Sequence, residues 1–442
     1  MRHHQTLDHL VLDNGITLIC AENPAADLVA GRIFLKQAGS CWDPVHKAGI
    51  SHLLATVITK GTQQRSALDI ADFVESLGAN LSAEAASDYW SLSLKTVTQD
   101  FPTVLGLAAE ILRDPIFPEA EIELEKRLIV QAIQSQREQP FNVAFQQLRQ
   151  AMYPHHPYGQ SILGNAALVP GFKPADLWEY HRAYFRPDNL VISVSGRLTV
   201  DQAKAWVEAC LGDWQIPNHS ILCPVLPTLI PRPTQQLTPQ ATQQAVILLG
   251  YLGVGVKHED HAPLKLLSTY LGNGLSSRLF VELREKRGLA YDVSAFYPTR
   301  QECSQFVTYM GTAPANTAIA VESLQREVER LSDQPLSDDE LIAAKNKLLG
   351  QYALGKQTNG EIAHLFGWYE TLGLGIAFDD QFQEQIKAIS AADAQRVAQT
   401  YLQQPYLSIV GPEAGLAQYW EQGEKRSPQE PVVEAVGSSN HA

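Results

Sequence analysis

Several function classes are disfavoured by what the chain has little of. No apolar run in its 442 residues approaches the length of a membrane span. Positive charge is in deficit, since 34 Lys and Arg stand against 48 Asp and Glu for a net charge of -14. That argues against nucleic acid as a main partner, because phosphate binding wants clustered Lys and Arg. A solvated acidic surface accounts for the charge, and a basic peptide ligand would suit it. The five cysteines (Cys20, Cys41, Cys210, Cys223 and Cys303) are scattered and never in a Cys-x-x-Cys spacing. An odd, dispersed set reads as reduced thiols, not a disulfide framework or a zinc knuckle. The opening residues, Met1 to His9, are polar and lack a signal-peptide core, which points to the cytoplasm. What is present is a globular composition, 45% hydrophobic and 19% charged, on a chain too long for one core.

The run Gly49-Ile-Ser-His-Leu-Leu-Ala-Thr-Val-Ile-Thr-Lys-Gly-Thr62 reads as a short helix closed by a glycine turn. Ile50, Leu53, Leu54 and Val57 share an apolar face, while His52 and Thr56, four apart, lie on one side. Before it, Leu10-Val-Leu, the turn signal Asp13-Asn-Gly and Ile16 to Cys20 predict a hairpin, with Val29 to Leu35 pairing beside it. After it, a helix capped by Ser66-Ala-Leu-Asp runs through Leu77 to Gly78. Two strand pieces lie between Leu81 and Val97, followed by long helices over about 100–113 and 118–138. A strand at Leu190–Gly196 and a helix at Val200–Leu211 complete this half.

Prolines 217, 224, 227, 231 and 233 then mark a stiff, extended linker over 217–235. The second half, 236–424, repeats the order of the first: a strand from Ala245, a helix over Ala262–Tyr270, a strand region from Tyr291 and helices near 315–331 and 337–356. Leu53-Leu-Ala-Thr with Gly61 parallels Leu266-Leu-Ser-Thr with Gly274, and Phe117-Pro-Glu-Ala-Glu-Ile parallels Leu336-Ser-Asp-Asp-Glu-Leu. The expected fold is therefore α+β, with two homologous domains joined by a linker and a polar tail over 425–442.

The helix at 49–62 has the geometry of an inverted His-x-x-Glu-His zinc helix. With Tyr184-Phe-Arg-Pro-Asp-Asn-Leu, His156-Pro-Tyr-Gly, Ile162-Leu-Gly and the run Leu275 to Tyr291, it resembles the pitrilysin, insulinase and mitochondrial processing peptidase family. The matches stand in family order across nearly the whole chain. The resemblance implies two domains, each a mostly antiparallel sheet packed with helices. It places zinc ligands at His52, Thr56 and Ala132, and the general base at Ala55. One imidazole does not hold catalytic zinc, which needs three protein ligands and an open water position. Without a carboxylate at 55, no base takes the proton of the attacking water. Glu125, a helical neighbour of position 132, remains.

From the second half, the resemblance points Arg284 and Tyr291 into a substrate chamber, where a guanidinium holds a peptide carbonyl and a phenol donates to an oxyanion. It implies a non-catalytic subunit of a two-chain zinc metallopeptidase, inactive alone. Its partner would be a zinc-bearing homologous subunit, or a second copy, and its ligand a peptide. No cofactor is expected in this chain, the zinc residing in the partner. The alternative is a scaffold or peptide-binding protein that has lost proteolysis. Other candidates read as structural. His155-His156 precedes a turn and suggests a loop with an exposed imidazole, and His46 a surface histidine. Gly272-Asn-Gly lacks a following Gly-Lys-Ser/Thr and reads as a helix stop, not a phosphate cradle.

Overall fold

The computed structural model describes residues 7–424, and the polar tail over 425–442 lies outside them. The chain opens with β1 (Leu7–Val11) antiparallel to β2 (Thr17–Glu22). Gly15 takes a φ of +85° in the connecting turn, and the Gly15 N–H donates to Leu12 O at 2.9 Å. β3 (Val29–Leu35) does not join this hairpin, contrary to expectation. β6 (Leu190–Gly196) lies between them, parallel to β2 and antiparallel to β3. Every residue of β6 is buried, and a strand buried on both faces belongs inside a sheet. With β4 (Asn80–Ala85) and β5 (Trp90–Thr96), the order of the first sheet is β1-β2-β6-β3-β5-β4.

The turn leading into β6 explains one of the matched motifs. The buried Arg186 guanidinium donates to both Asp188 oxygens, at 2.6 and 2.8 Å, and to Pro217 O at 3.4 Å. Asn189 donates to Tyr184 O at 2.9 Å and accepts the Gln37 N–H at 2.9 Å. These side chains hold a turn and the start of the linker.

Helices of this half are α1 (Ile50–Val57), α2 (Ala67–Ser76), α3 (Phe101–Arg113), α4 (Glu119–Glu138), α5 (Pro140–Met152), α6 (Pro174–Tyr184) and α7 (Val200–Leu211). α2 starts with a capping box in which Ser66 and Asp69 satisfy each other's backbone N–H. No helix or strand occurs over 212–234, where Leu222 and Val225 are exposed.

The second sheet contains β7 (Gln235–Pro239), β8 (Ala245–Leu252), β9 (Asp292–Phe296), β10 (Gln305–Thr312) and β11 (Tyr406–Gly411), in the order β7-β11-β8-β10-β9. Its parallel pair, β7 with β11, and its antiparallel pairs reproduce those of β2-β6-β3-β5-β4 strand for strand. Only β1 has no counterpart. The helices are α8 (His261–Gly272), α9 (Thr317–Asp333), α10 (Asp338–Leu354), α11 (Asn359–Thr371), α12 (Phe378–Ala388), α13 (Ala391–Tyr401) and α14 (Glu413–Glu424), with a π-helical turn at Phe280–Lys286. α8 ends at Gly272, followed by a turn in which Gly274 has a φ of +77°, as expected of a helix stop. The fold is two α+β domains of the same topology.

The two domains exchange a helix. α5, from the first, packs on β8 and β11 of the second sheet, while α11, from the second, packs on β3 and β6 of the first. Each contact is closed by a glycine. A Cβ on Gly250 of β8 would meet Met152 Sδ of α5 at 2.6 Å. One on Gly367 of α11 would meet the Phe34 ring of β3 at 2.5 Å and Ser193 Cβ of β6 at 2.8 Å. At Gly250 the missing side chain leaves room for Met152 and Leu148 of α5, and at Gly367 it lets the α11 backbone close on Phe34 and Ser193. Leu148 and Met152 on one helix, and Ile362 and Phe366 on the other, bury their side chains in these contacts. At about 1.5–3 kcal/mol for each fully buried apolar side chain, the exchange is a major cohesive element.

Candidate functional site around helix α1

α1 packs against α4 and against β4, the edge strand of the first sheet. Its N-terminus is organised by Asp43, whose carboxylate accepts the Gly49 N–H at 2.8 Å, the Ser51 N–H at 3.3 Å and the Ser51 hydroxyl at 3.1 Å. Gly49 itself takes a left-handed φ of +99°. Enclosure pushes the Asp43 carboxyl up to about 7, against the pull of those donors. Nothing about Asp43 stood out in the sequence, since its contacts span a loop without a capping signature.

His52, Ala55 and Thr56 stand on α1 and Ala132 on α4, so two packed helices carry the four positions that the resemblance assigns to the metal site. His52 is half-buried. Burial lowers its pKa, and the charge of Glu125 opposes that effect. Lys60, just beyond α1, pairs with Glu125 at 3.3 Å. The Thr56 hydroxyl donates to Leu53 O at 2.9 Å, so it serves its own helix. Ala55 is buried and Ala132 exposed, and each presents only a methyl group.

Zinc does not fit this donor set. One imidazole, one hydroxyl bonded to backbone and two methyl groups fall short of three ligands. Among the described residues there is no group of three or more His, Cys, Asp and Glu placed to hold a metal ion.

Arg284 lies in the π-helical turn, with its guanidinium 4.9 Å from the centre of the Phe280 ring. Tyr291 directly precedes the edge strand β9, its N–H donating to Gly311 O at 2.9 Å and its side chain 56% exposed. Among the described residues, no hydrogen bond, ion pair or ring contact joins either side chain to α1. His46 is exposed, as expected. His156 is not: its Nδ1 accepts the Tyr158 N–H at 3.0 Å, and burial holds its pKa at about 4. A left-handed φ of 61° at His155 turns that imidazole outward and its neighbour inward between Tyr153 and Tyr158.

Two family models match the chain in tandem: Insulinase (Peptidase family M16) over residues 18–166, and Peptidase M16 inactive domain over 171–348. The chain belongs to the insulinase (M16) peptidase family. It is 26% identical to an uncharacterized zinc protease of Streptomyces coelicolor, covering 82% of this chain and 81% of that protein. It is also 26% identical to the uncharacterized zinc protease YmxG of Bacillus subtilis, covering 91% of this chain and 98% of the relative. Among solved structures, a peptidase M16 inactive domain from Pseudomonas fluorescens superposes with a TM-score of 0.85 at 23% identity, over 92% of this chain and 98% of the other. A protease from Helicobacter pylori gives 0.86 at 21% identity, over 92% and 100%. These two likenesses establish the M16 fold.

Among the described residues, no helix of this M16 chain is long and apolar enough to cross a membrane.

Proposed function

We propose that this M16 chain is the non-catalytic subunit of a two-chain metallopeptidase of the cytoplasm. In this reading it completes a chamber and holds peptide for a zinc-bearing homologous subunit. The observation that carries it is the condition of α1. The helix keeps its anchor on Asp43 and its packing on α4, yet Ala55, Thr56 and Ala132 stand where the resemblance puts the base and two ligands. A scaffold kept in shape while its donors are absent fits a shape-dependent role.

The peptide would be held by groups that remain. β4 is an edge strand packed beside α1, with alternate residues exposed, and such an edge accepts an extended peptide as an added strand. Arg284 and Tyr291, both exposed, supply a cation for a carbonyl and a phenol donor for an oxyanion formed in the partner's site. The acidic balance of the chain favours basic peptides.

One observation favours the scaffold reading instead. Arg284 already has an occupation, its guanidinium lying on Phe280. Co-expression with an M16 chain bearing an intact His-x-x-Glu-His helix separates the two. The subunit reading expects a co-eluting pair that cleaves a fluorogenic peptide faster than the sum of the separate chains. Co-elution with no gain in cleavage would favour the scaffold, and failure to associate with any such chain would end the subunit reading.

A further inference from the structure

The internal repeat places a second, quite different site in the C-terminal domain. α8 and α10 occupy there the places of α1 and α4. The alignment that pairs Leu53-Leu-Ala-Thr with Leu266-Leu-Ser-Thr sets Lys265, Ser268 and Thr269 opposite His52, Ala55 and Thr56. The one that pairs the starts of α4 and α10 sets Gln351 opposite Ala132. All four of these residues line one cavity of about 310 Å³, floored by β9 and the residues after it. That volume is in the range of small-ligand pockets.

The chemistry of the cavity is one-sided. Lys265 Nζ donates to Tyr297 O at 2.7 Å, and no carboxylate lies within ion-pair distance of it among the described residues. An ammonium has three N–H donors, so this carbonyl leaves two unspent. Burial lowers the Lys265 pKa to about 8, which leaves the group charged at neutral pH. Asn273 donates to Gln351 Oε1 at 2.6 Å, orienting that side chain with its NH₂ free to donate. The Ser268 and Thr269 hydroxyls both donate to Lys265 O, at 3.0 Å each, so they fix the helix and present no competing donor. None of the lining residues is acidic, and Phe296, Pro298 and Leu348 supply an apolar wall. A cation and amide donors without a counter-ion, next to apolar surface, match a carboxylate attached to an apolar group.

We propose that the cavity between α8, α10 and β9 binds a small carboxylate bearing an apolar group, with Lys265 as its counter-charge and Gln351 as a second donor. Its source is either a free acid or the C-terminus of a peptide. The bland role of Lys265, capping the carbonyl of Tyr297, requires neither the cavity nor the absence of acids around it.

The test uses the full chain alone, so it succeeds or fails independently of any partner subunit. Isothermal titration is done with N-acetyl-leucine, its amide, and the tripeptide acid acetyl-Ala-Ala-Leu. The acid should bind about tenfold or more tightly than the amide, the worth of one charge-assisted hydrogen bond. A tripeptide acid that binds at least as well as N-acetyl-leucine identifies a peptide C-terminus as the source, and one that is excluded identifies a free acid. Lys265→Met should abolish binding and Gln351→Leu should weaken it, each checked for folding by circular dichroism. If Lys265→Met does not fold, Gln351→Leu and the acid-to-amide ratio decide. Equal affinity for acid and amide, no heat from either acid at millimolar concentration, or wild-type affinity in the folded variants overturns the proposal.

Discussion

Lys60 and Glu125 form an ion pair at 3.3 Å, tying the residues just after α1 to the middle of α4. Glu125 is thereby partly neutralised where its charge reaches His52. The pair links the end of α1 to α4, the two helices that carry His52 and the three substituted positions, Ala55, Thr56 and Ala132.

The wild-type chain should accordingly carry no stoichiometric zinc and cleave no peptide. Elemental analysis of tag-free protein after dialysis reads the first, and a fluorogenic peptide the second. One zinc per chain with chelator-sensitive hydrolysis would be incompatible with the donor set described.

Restoring the donors tests the scaffold itself. Ala55→Glu, Thr56→His and Ala132→Glu together should create a zinc site around His52. Affinity should fall about 10–100-fold short of a natural site, because the groups that orient ligands were not selected with them. A triple variant that folds by circular dichroism yet takes up no zinc would mean that α1 and α4 do not present these positions to one point.

The helix crossings make a sharper prediction about stability. Gly367→Ala gains about 1 kcal/mol of helix propensity but forces a methyl into Phe34 and Ser193. Overpacking of that kind costs about 1–3 kcal/mol, so the net change should be destabilising. Gly106→Ala in α3, with nothing within 4 Å of the added carbon, should instead stabilise the protein. Urea midpoints of the two variants should move in opposite directions. A shift of the same sign in both would remove the steric argument.

Asp43 gives a pH signature. Its folded pKa of about 7 lies above the unfolded value of 3.8, so the native state binds more protons between them. The stability it contributes is complete below the unfolded pKa and is lost as pH rises towards and through 7. Melting temperatures of wild type and Asp43→Asn should diverge across that window, the wild type losing more on going from acid to neutral pH. Parallel curves would show that Asp43 titrates normally.

In a reconstituted pair with a zinc-bearing chain, Tyr291→Phe should lower turnover by roughly 10²-fold if its phenol serves the oxyanion. Arg284→Ala should act chiefly on KM, because it would hold substrate in ground and transition states alike. Gel filtration checks that association is unchanged. Wild-type kinetics in both variants would favour the scaffold reading.

The first domain was largely legible because its elements carry local signals. Asp13-Asn-Gly, the Ser66 capping box and the periodicities of α3, α4 and α7 each depend on near neighbours. α5 and α11 also carry local start signals, Pro140 at the head of one and a Thr358–Glu361 capping box on the other, but the sheet each packs on lies in the other half of the chain, which no local pattern encodes. β3 was misplaced because its neighbour β6 lies more than 150 residues further on. At the site, the residues that the resemblance sets at the metal positions are plain in the sequence, whereas the buried His156 and the anchoring Asp43 depend on loop geometry. The Lys265 cavity had a signal in the sequence. Extending the internal match by one residue sets Lys265 opposite His52.

The traded helices also set the order of assembly during synthesis. When α7 leaves the ribosome the first sheet has all its strands, but the helix that covers β3 and β6 still lies about 150 residues ahead. At about 5–20 residues per second, that apolar face stays bare for roughly 10–30 s, while α5 waits for strands not yet made. Neither domain reaches its final packing as a nascent unit, and closure is a late, long-range event of the kind that folds slowly and invites aggregation. By the same logic, cleavage of the proline-spaced segment between the domains should leave the pieces clasped together.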